Sequence, residues 1–380
     1  MRVPIRLGPA AAVLGLTAAV LSFAGVAPAL AGTSSGFGPG SGAVFVQTDN
    51  TSGNQVIAYR RLPDGTLRPA RSYATGGVGG VLAGSVVDHL ASQGSLSYDP
   101  WHSLLYAVNA GSDTVSVFAV SGDRLALRQV VRSGGSFPVS VAVHGDLVYV
   151  LNALGGGSLQ GFRVLGGFLL PIPGSNRALG LDPNASPQFT STPGQAAFTP
   201  DGSQLVVTTK ANGNDIDVFG VGFGGQLSAV PVVNSEPGTV PFAINFDPYG
   251  HLLIAEAGTN ALATFSLAAN GTVGLLDAVP TGQSATCWVA SAGGFFFASN
   301  AGSGNESGFT SSPGGQLTLL GDTATDGGTV DAAAAGRFLY VQTGAAGIVD
   351  EFIVQAGGSL TEIGSVTVPG AVGGEGIVAS

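Results

Sequence analysis

A repeat of roughly 42 to 58 residues, present seven times, constrains the fold of this 380-residue chain more than any other feature. Each unit contains an apolar run that ends in a polar residue, and the seven runs are AVFVQTDN, LLYAVNAG, LVYVLNAL, LVVTTKAN, LLIAEAGT, FFFASNAG and LYVQTGAA. A second alternating run, a glycine-rich turn and a third run follow, and a further short run precedes most units. Alternation with period two, β-branched and aromatic residues, and turns of Gly, Asn and Asp predict strands.

Four strands per unit and seven units predict an all-β fold, a seven-bladed β-propeller built from four-stranded antiparallel blades. The first unit starts at Ala43 and lacks its leading strand, whereas the segment GEGIVAS at 374–380 is a leading strand with no unit after it. We therefore expect the C-terminal strand to complete the first blade, which closes the ring and removes a free sheet edge. The propeller is predicted to span residues 43–380.

The first 42 residues have a different composition. Two arginines, an apolar run from about Ala10 to Ala24 and an Ala-x-Ala ending predict a secretory signal peptide over residues 1–31. Residues 32–42, rich in Gly and Ser, are interpreted as a flexible leader. The apolar run is too short to favour a membrane span. We expect a secreted, extracellular protein without membrane attachment after cleavage.

The low content of charged residues and the single cysteine limit the kinds of partner and of site that the sequence allows. The net charge is −10, only 9% of residues are charged, and the sequence has no basic run, which argues against nucleic acid or an anionic membrane as partner. The single cysteine, Cys287, permits no internal disulfide and is expected in the core. The segment GVGFGG fits the dinucleotide-binding pattern G-x-G-x-x-G, but it joins two strands rather than a strand and a helix, so it is interpreted as a turn. No group of His and Cys residues has the spacing of a zinc site. We predict no cofactor, no metal and a monomer.

Three segments resemble a known family: FTPDGSQLVVTTKANGNDIDVF, the hairpin LPDGTLRPA, and SQGSLSYDPWHSLLYAVNAGSDTVSVF. The chain resembles the secreted seven-bladed propellers of the lactonase family, which includes bacterial 6-phosphogluconolactonases and fungal carboxymuconate-lactonizing enzymes. The resemblance covers the whole of the predicted mature chain, residues 32–380. It implies a propeller fold and a small lactone as substrate or product.

In a propeller, the ends of the second strands, counted from the axis, should surround one mouth of the channel. The alignment of the repeats assigns to this ring Thr48, Asn109, Asn152, Thr209, Glu256, Asn300 and Thr343. Lys210, the only lysine of the sequence, follows Thr209, and Glu256 belongs to the next blade. We predict that Lys210 polarises a lactone carbonyl or holds a carboxylate, and that Glu256 is the general base. Asn109, Asn152, Asn300 and Thr209 are predicted to bind the ligand.

Two long inter-blade segments, 76–94 and 176–194, should lie on the same face and shape the mouth. The first contains Asp88, His89 and Gln93. His89 is the histidine best placed to assist catalysis, and Gln93 is a further ligand-binding candidate.

One departure from the family bears on the substrate. Lactonase propellers carry Arg and His at the start of innermost strands, whereas the corresponding segments here are FPVSV, TPGQA, VPFAI, ATCWV and GTVDA. Without those cations, a phosphorylated lactone is disfavoured. Two hypotheses remain: a hydrolase or cycloisomerase acting on a small non-phosphorylated lactone, and a non-catalytic scaffold whose rim binds an extracellular peptide, glycan or surface protein.

Overall fold

The computed structural model describes residues 42–380 and confirms the predicted seven-bladed β-propeller. The predicted signal peptide and residues 32–41 of the leader lie outside the described residues. Every blade is a four-stranded antiparallel sheet, and blade 3 has one additional short strand. No helix within residues 42–380 is long and apolar enough to cross a membrane.

Strands are given from the axis outward. Blade 1 contains β29 (Ile377–Ala379), β1 (Gly42–Gln47), β2 (Gln55–Arg61) and β3 (Leu67–Ala74). Blade 2 contains β4 (Leu96–Asp99), β5 (Leu104–Asn109), β6 (Thr114–Ser121) and β7 (Arg124–Arg132). Blade 3 contains β8 (Pro138–His144), β9 (Leu147–Asn152), β10 (Ser158–Leu165) and β11 (Phe168–Pro171), with β12 (Arg177–Ala178) also paired to β10.

Blade 4 contains β13 (Ala196–Phe198), β14 (Gln204–Thr208), β15 (Asp215–Gly220) and β16 (Val232–Ser235). Blade 5 contains β17 (Pro241–Phe246), β18 (Leu252–Glu256), β19 (Ala261–Leu267) and β20 (Val273–Pro280). Blade 6 contains β21 (Thr286–Ala292), β22 (Phe295–Asn300), β23 (Asn305–Ser311) and β24 (Leu317–Ala324). Blade 7 contains β25 (Thr329–Ala335), β26 (Phe338–Thr343), β27 (Ile348–Val354) and β28 (Leu360–Thr367). Helical structure in the described residues is confined to α1 (Gln188–Ser191) and the 3-10 turns Ala110–Ser112 and Lys210–Asn212.

The ring closes as the sequence predicts. Strand β29 pairs antiparallel with β1, with Val44 opposite Ala379 and Val46 opposite Ile377. The Ser380 amide donates to the Ala43 carbonyl at 2.9 Å. Blade 1 is therefore assembled from both ends of the described chain.

The core lies between the blades rather than within one central cluster. In β1, Val44 and Val46 pack towards blade 7, whereas Phe45 packs on the other side, towards Leu105 of blade 2. Both faces of the second strands are thus buried, which explains why these strands are continuous apolar runs rather than strict alternations. Burying each large side chain contributes about 1.5–3 kcal/mol.

Residues 82–94 of the first long loop, here called the channel plug, cross the middle of the ring. The Ser92 hydroxyl donates to the Val139 carbonyl of blade 3, and the backbone amide of Gln93 donates to the Gly194 carbonyl beside blade 4. On the far side, the Trp288 indole of blade 6 donates to the Ser92 carbonyl at 2.7 Å. Because these contacts come from opposite sides of the ring, the plug occupies the channel mouth.

The plug also packs against blade 7 and the closing segment. The His89 amide donates to the Gly373 carbonyl at 2.8 Å, and the Val87 carbonyl lies directly against the α-carbon of Gly344. At that position a β-carbon would lie only 1.7 Å from the Val87 oxygen. Gly344 is therefore required by close approach of the plug backbone.

Candidate functional site

A cavity of about 310 Å³ lies beside the plug, between it, the second long loop and the rims of blades 4, 5 and 6. Its volume is in the range that holds a small organic ligand. The lining is largely apolar and includes Val86, Val87, Phe189, Val240, Phe242, Ala257 and Trp288. Three ionisable residues, Asp88, Lys210 and Cys287, contribute to the same wall. We call this space the loop cavity.

Lys210 joins the two long loops. It follows β14 in a left-handed backbone conformation with φ of 54° and is 1% exposed. Its Nζ donates to the Ala91 carbonyl of the plug at 2.5 Å and to the Phe189 carbonyl of the second loop at 2.6 Å. The same nitrogen lies 5.1 Å from the centre of the Phe242 ring, within the range of a cation–π contact.

Burial acts in opposite directions on the two charged groups of the cavity wall. It lowers the pKa of Lys210 from 10.5 to about 7, against the attraction of the nearby Asp88 carboxylate. It raises the pKa of Asp88 from 3.8 to about 6, although the amides of Leu90 and Ser92 donate to that carboxylate. The two pKa values therefore lie close together near neutrality, an arrangement suited to acid–base chemistry.

Cys287 contributes a neutral thiol to the wall. Burial raises its pKa from 9.0 to about 12, and the Lys210 charge opposes this only in part. Because the thiolate is the nucleophile, the thiol is unreactive at pH 7. Its small, polarizable side chain suits packing.

Glu256 lies outside the loop cavity, although its neighbour Ala257 lines it. Its carboxylate is buried, accepts a hydrogen bond from the Thr259 hydroxyl at 2.8 Å, and has its pKa raised by burial. The ion pairs within residues 42–380 do not include one between Glu256 and Lys210. They do not include one between Lys210 and Asp88 of the plug either, but the Asp88 charge acts on Lys210 over a longer distance.

His89 and Gln93 are both in the plug but neither lines the loop cavity. The His89 ring packs over Gly373, burial lowers its pKa, and its buried Nδ1 has no hydrogen-bond partner within residues 42–380. The Gln93 side chain exchanges two hydrogen bonds with the Val289 backbone, at 3.1 and 3.2 Å. Gln93 thereby fixes the plug to the inner strand of blade 6.

The other predicted ligand-binding residues are buried at the ends of the second strands. The Asn109 amide donates to Thr114 and Ser116, and the Asn300 amide donates to Asn305 and Ser307. The Asn152 amide donates at 3.4 Å to the carbonyls of Ser133 and Ser158. The Thr209 hydroxyl donates to the Asp215 carbonyl. These contacts connect neighbouring strands, and none of the four side chains lines the loop cavity.

The buried Asp88 carboxyl group of the plug lies near three other buried carboxyl groups from distant parts of the sequence, those of Asp49, Asp331 and Glu375. Burial is the main cause that raises each pKa, and the negative charges of the other three raise that of Glu375 further. Backbone amides satisfy several of these oxygens, for example Gly94 on Glu375 and Ala332 on Asp331. Within residues 42–380 no group of three or more His, Cys, Asp or Glu side chains is arranged to hold a metal ion.

Comparison with solved structures shows which known propellers the chain is similar to. The periplasmic gluconolactonase of Pseudomonas aeruginosa superimposes with a TM-score of 0.74 at 18% identity, covering 89% of this chain and 99% of that one. A candidate 6-phosphogluconolactonase from Bacteroides uniformis gives a TM-score of 0.72 at 19% identity, covering 90% and 100%. The chain shares the seven-bladed propeller fold of these two proteins.

The chain also resembles more remote proteins. A virginiamycin B lyase from Staphylococcus aureus superimposes with a TM-score of 0.52 at 13% identity, covering 75% of this chain and 87% of that one. The sequence matches no model of a known protein family and no curated protein. The likeness therefore concerns the fold, and activity must be argued from the site itself.

Proposed function

We propose that this chain is an exported enzyme that hydrolyses or forms a small, uncharged, mostly apolar lactone in the loop cavity. The observation that carries the proposal is the sole lysine, whose buried ammonium group lies in the wall of a largely apolar cavity between the two long loops. The likeness in fold to a periplasmic gluconolactonase supports a lactone as the substrate class.

Lys210 and Asp88 provide complementary chemistry for lactone hydrolysis. The Lys210 ammonium attracts the carbonyl oxygen and stabilises the oxyanion that forms when water attacks the carbonyl carbon. Asp88 accepts the proton of the attacking water and returns it to the ring oxygen as the carbon–oxygen bond of the lactone breaks. The reverse sequence closes a hydroxy acid to the lactone.

The lining of the cavity argues for an uncharged substrate. Phosphate is costly to transfer from water into a largely apolar cavity, and Lys210 already donates two hydrogen bonds to backbone carbonyls. Phe189, Phe242 and Trp288 instead favour a hydrocarbon substituent on the lactone ring.

The test is hydrolysis of a panel of lactones with short and long alkyl substituents by residues 32–380. We expect turnover by the wild type and a loss of about 100-fold or more in Lys210→Met, the range found when an oxyanion donor is removed. Since Lys210→Met also leaves two loop carbonyls unpaired, Ala257→Leu provides a second variant that fills the cavity without removing any polar group. Ala126→Leu, the same change at an exposed position of β7, is the matched control and should retain full turnover.

The sequence-based prediction that Glu256 is the base is tested in the same assay. Glu256→Gln abolishes turnover if that prediction holds, whereas Asp88→Asn abolishes it if the base faces Lys210. Turnover that survives Ala257→Leu would move the reaction out of the loop cavity.

A non-catalytic scaffold is the second candidate. Both Lys210 hydrogen bonds end on backbone carbonyls of the two loops, an arrangement that also serves purely to hold those loops together. No turnover across the panel, combined with a lower melting temperature for Lys210→Met, would favour this function.

A further inference from the structure

A groove of about 350 Å³ between the outer strands of blades 1 and 2 is lined by four arginines, Arg60, Arg68, Arg71 and Arg124. We call it the arginine groove. It shares no lining residue with the loop cavity. It lies where the turn from β2 to β3 and the turn from β6 to β7 meet, on the side of the ring opposite the inter-blade loops.

The fold concentrates positive charge here in a chain of net charge −10. Four of the eleven basic residues between positions 42 and 380 line this one groove. Arg60 and Arg68 are direct cross-strand partners in the β2–β3 ladder. Like charges in that relation destabilise a sheet, so their presence is not explained by strand pairing.

Asp123 is the one carboxylate in the lining, and it is committed to Arg60. It accepts from the Arg60 Nε at 3.0 Å and from Nη2 at 2.8 Å. Within residues 42–380, Arg71 and Arg124 form no ion pair within 4 Å, and Arg68 has only the electrostatic influence of Asp64 in its turn. Three guanidinium groups of the groove are therefore left without a paired carboxylate.

We propose that the arginine groove binds an acidic sugar, that is, a sugar-sized molecule bearing two or more carboxylate or sulfate groups. Planar guanidinium groups match oxyanions with paired hydrogen bonds, and three unpaired charges suit more than one such group. Leu62, Pro69 and Tyr73 supply apolar and aromatic surface between the arginines for the carbon skeleton. The groove is concave and local, and at physiological salt charge acts over about 8 Å, so the negative charge of the remaining surface does not prevent binding.

Isothermal titration of residues 32–380 tests the proposal, with trigalacturonate as the carboxylated probe, a disulfated disaccharide as the sulfated probe, and maltotriose as the neutral one. Arg68→Gln combined with Arg71→Gln removes two groove charges. Arg128→Gln combined with Arg132→Gln removes two exposed charges from β7 outside the groove and is the matched control.

We expect at least one acidic probe to bind, maltotriose to give no heat of binding, and the groove variant to lose about tenfold or more in affinity. The control should change affinity by less than about twofold, and inorganic sulfate should bind more weakly than the disaccharide. The two acidic arms distinguish carboxylate from sulfate recognition. Equal loss in both double variants, equal binding of maltotriose, or no binding of either acidic probe would overturn the proposal. The four exposed arginines can be replaced without disturbing the core, and unchanged melting temperatures would verify this.

Discussion

Lys210 connects the chemistry of the loop cavity to its architecture. Its Nζ fixes a plug carbonyl and a second-loop carbonyl, and its pKa falls to about 7 because it is buried. The sequence indicates Lys210 through its rarity and its position after the second strand. It does not indicate that Lys210 binds the carbonyls of Ala91 and Phe189, because every residue has a backbone carbonyl and the residue type does not reveal its partner.

At this scale the pH dependence of activity follows from two groups. Hydrolysis as proposed needs ionised Asp88 and protonated Lys210, whose pKa values are about 6 and about 7. We expect kcat/KM to rise with pH through Asp88 ionisation and to fall as Lys210 loses its proton, giving a narrow bell with its maximum between these values. A pH series on the best lactone of the panel measures this. A rate that stays constant up to about pH 9 would contradict the role of the Lys210 charge.

The predicted Glu256 site depends on which way a side chain at the end of a strand points. A polar residue after an apolar strand has the same sequence pattern whether it faces a channel or the neighbouring strand. In the structure Glu256 is 4% exposed and accepts a hydrogen bond from Thr259, whereas Asp88, within a loop, is the carboxylate whose charge acts on Lys210. The decisive contact depends on how deeply a loop enters the ring, which local periodicity does not encode.

Among the elements, the channel plug has the greatest influence on the site. It provides Val86, Val87, Asp88 and Ala91 to the cavity wall and is fixed by the inner strands of blades 3 and 6. The length of residues 76–94 predicts a loop that shapes the mouth. The loop can enter the mouth because glycines such as Gly344 leave room for its backbone.

Gly344→Ala tests the fit of the plug. A β-carbon at this position would overlap the Val87 carbonyl, so the plug must move, and we expect a loss of about 1–3 kcal/mol in the free energy of unfolding. Gly357→Ala is the matched control, because nothing lies within 4 Å of its β-carbon. It should be neutral or stabilising by up to about 1 kcal/mol. Urea unfolding of both variants decides, and equal stability would show that the plug is not tightly seated.

Across the whole molecule, burial of carboxyl groups dominates the electrostatics. Burial raises the pKa of Asp49, Asp217 and Asp331 from 3.8 to about 7, and that of Glu351 from 4.5 to about 7. The repeat predicts the seven blades, since each apolar run specifies a strand buried on both faces. It does not predict that these acids are buried, because their burial depends on packing between blades and loops, which local periodicity does not encode.

The sign of the resulting pH dependence is fixed. A carboxyl group whose pKa is higher in the folded state contributes stability that is complete below about pH 4 and is lost as pH rises through about 7. Lys210, whose pKa is lowered, has the opposite effect in a separate pH range. Its contribution to stability increases as pH rises between about 7 and its ordinary value of 10.5. We therefore expect a higher melting temperature at about pH 5 than at about pH 7.5. Asp331→Asn should reduce that difference, and a melting temperature that rises over this interval would contradict the prediction.

The concealment of Lys210 has a practical consequence for anyone who handles this protein. Reagents that acylate amines find one lysine in the entire chain, and in the folded state it is 1% exposed. Coupling to dyes, beads or cross-linkers through lysine will leave the native protein almost unmodified beyond its terminal amine. The rate of Lys210 acylation then measures how often the two loops separate, without any engineered probe.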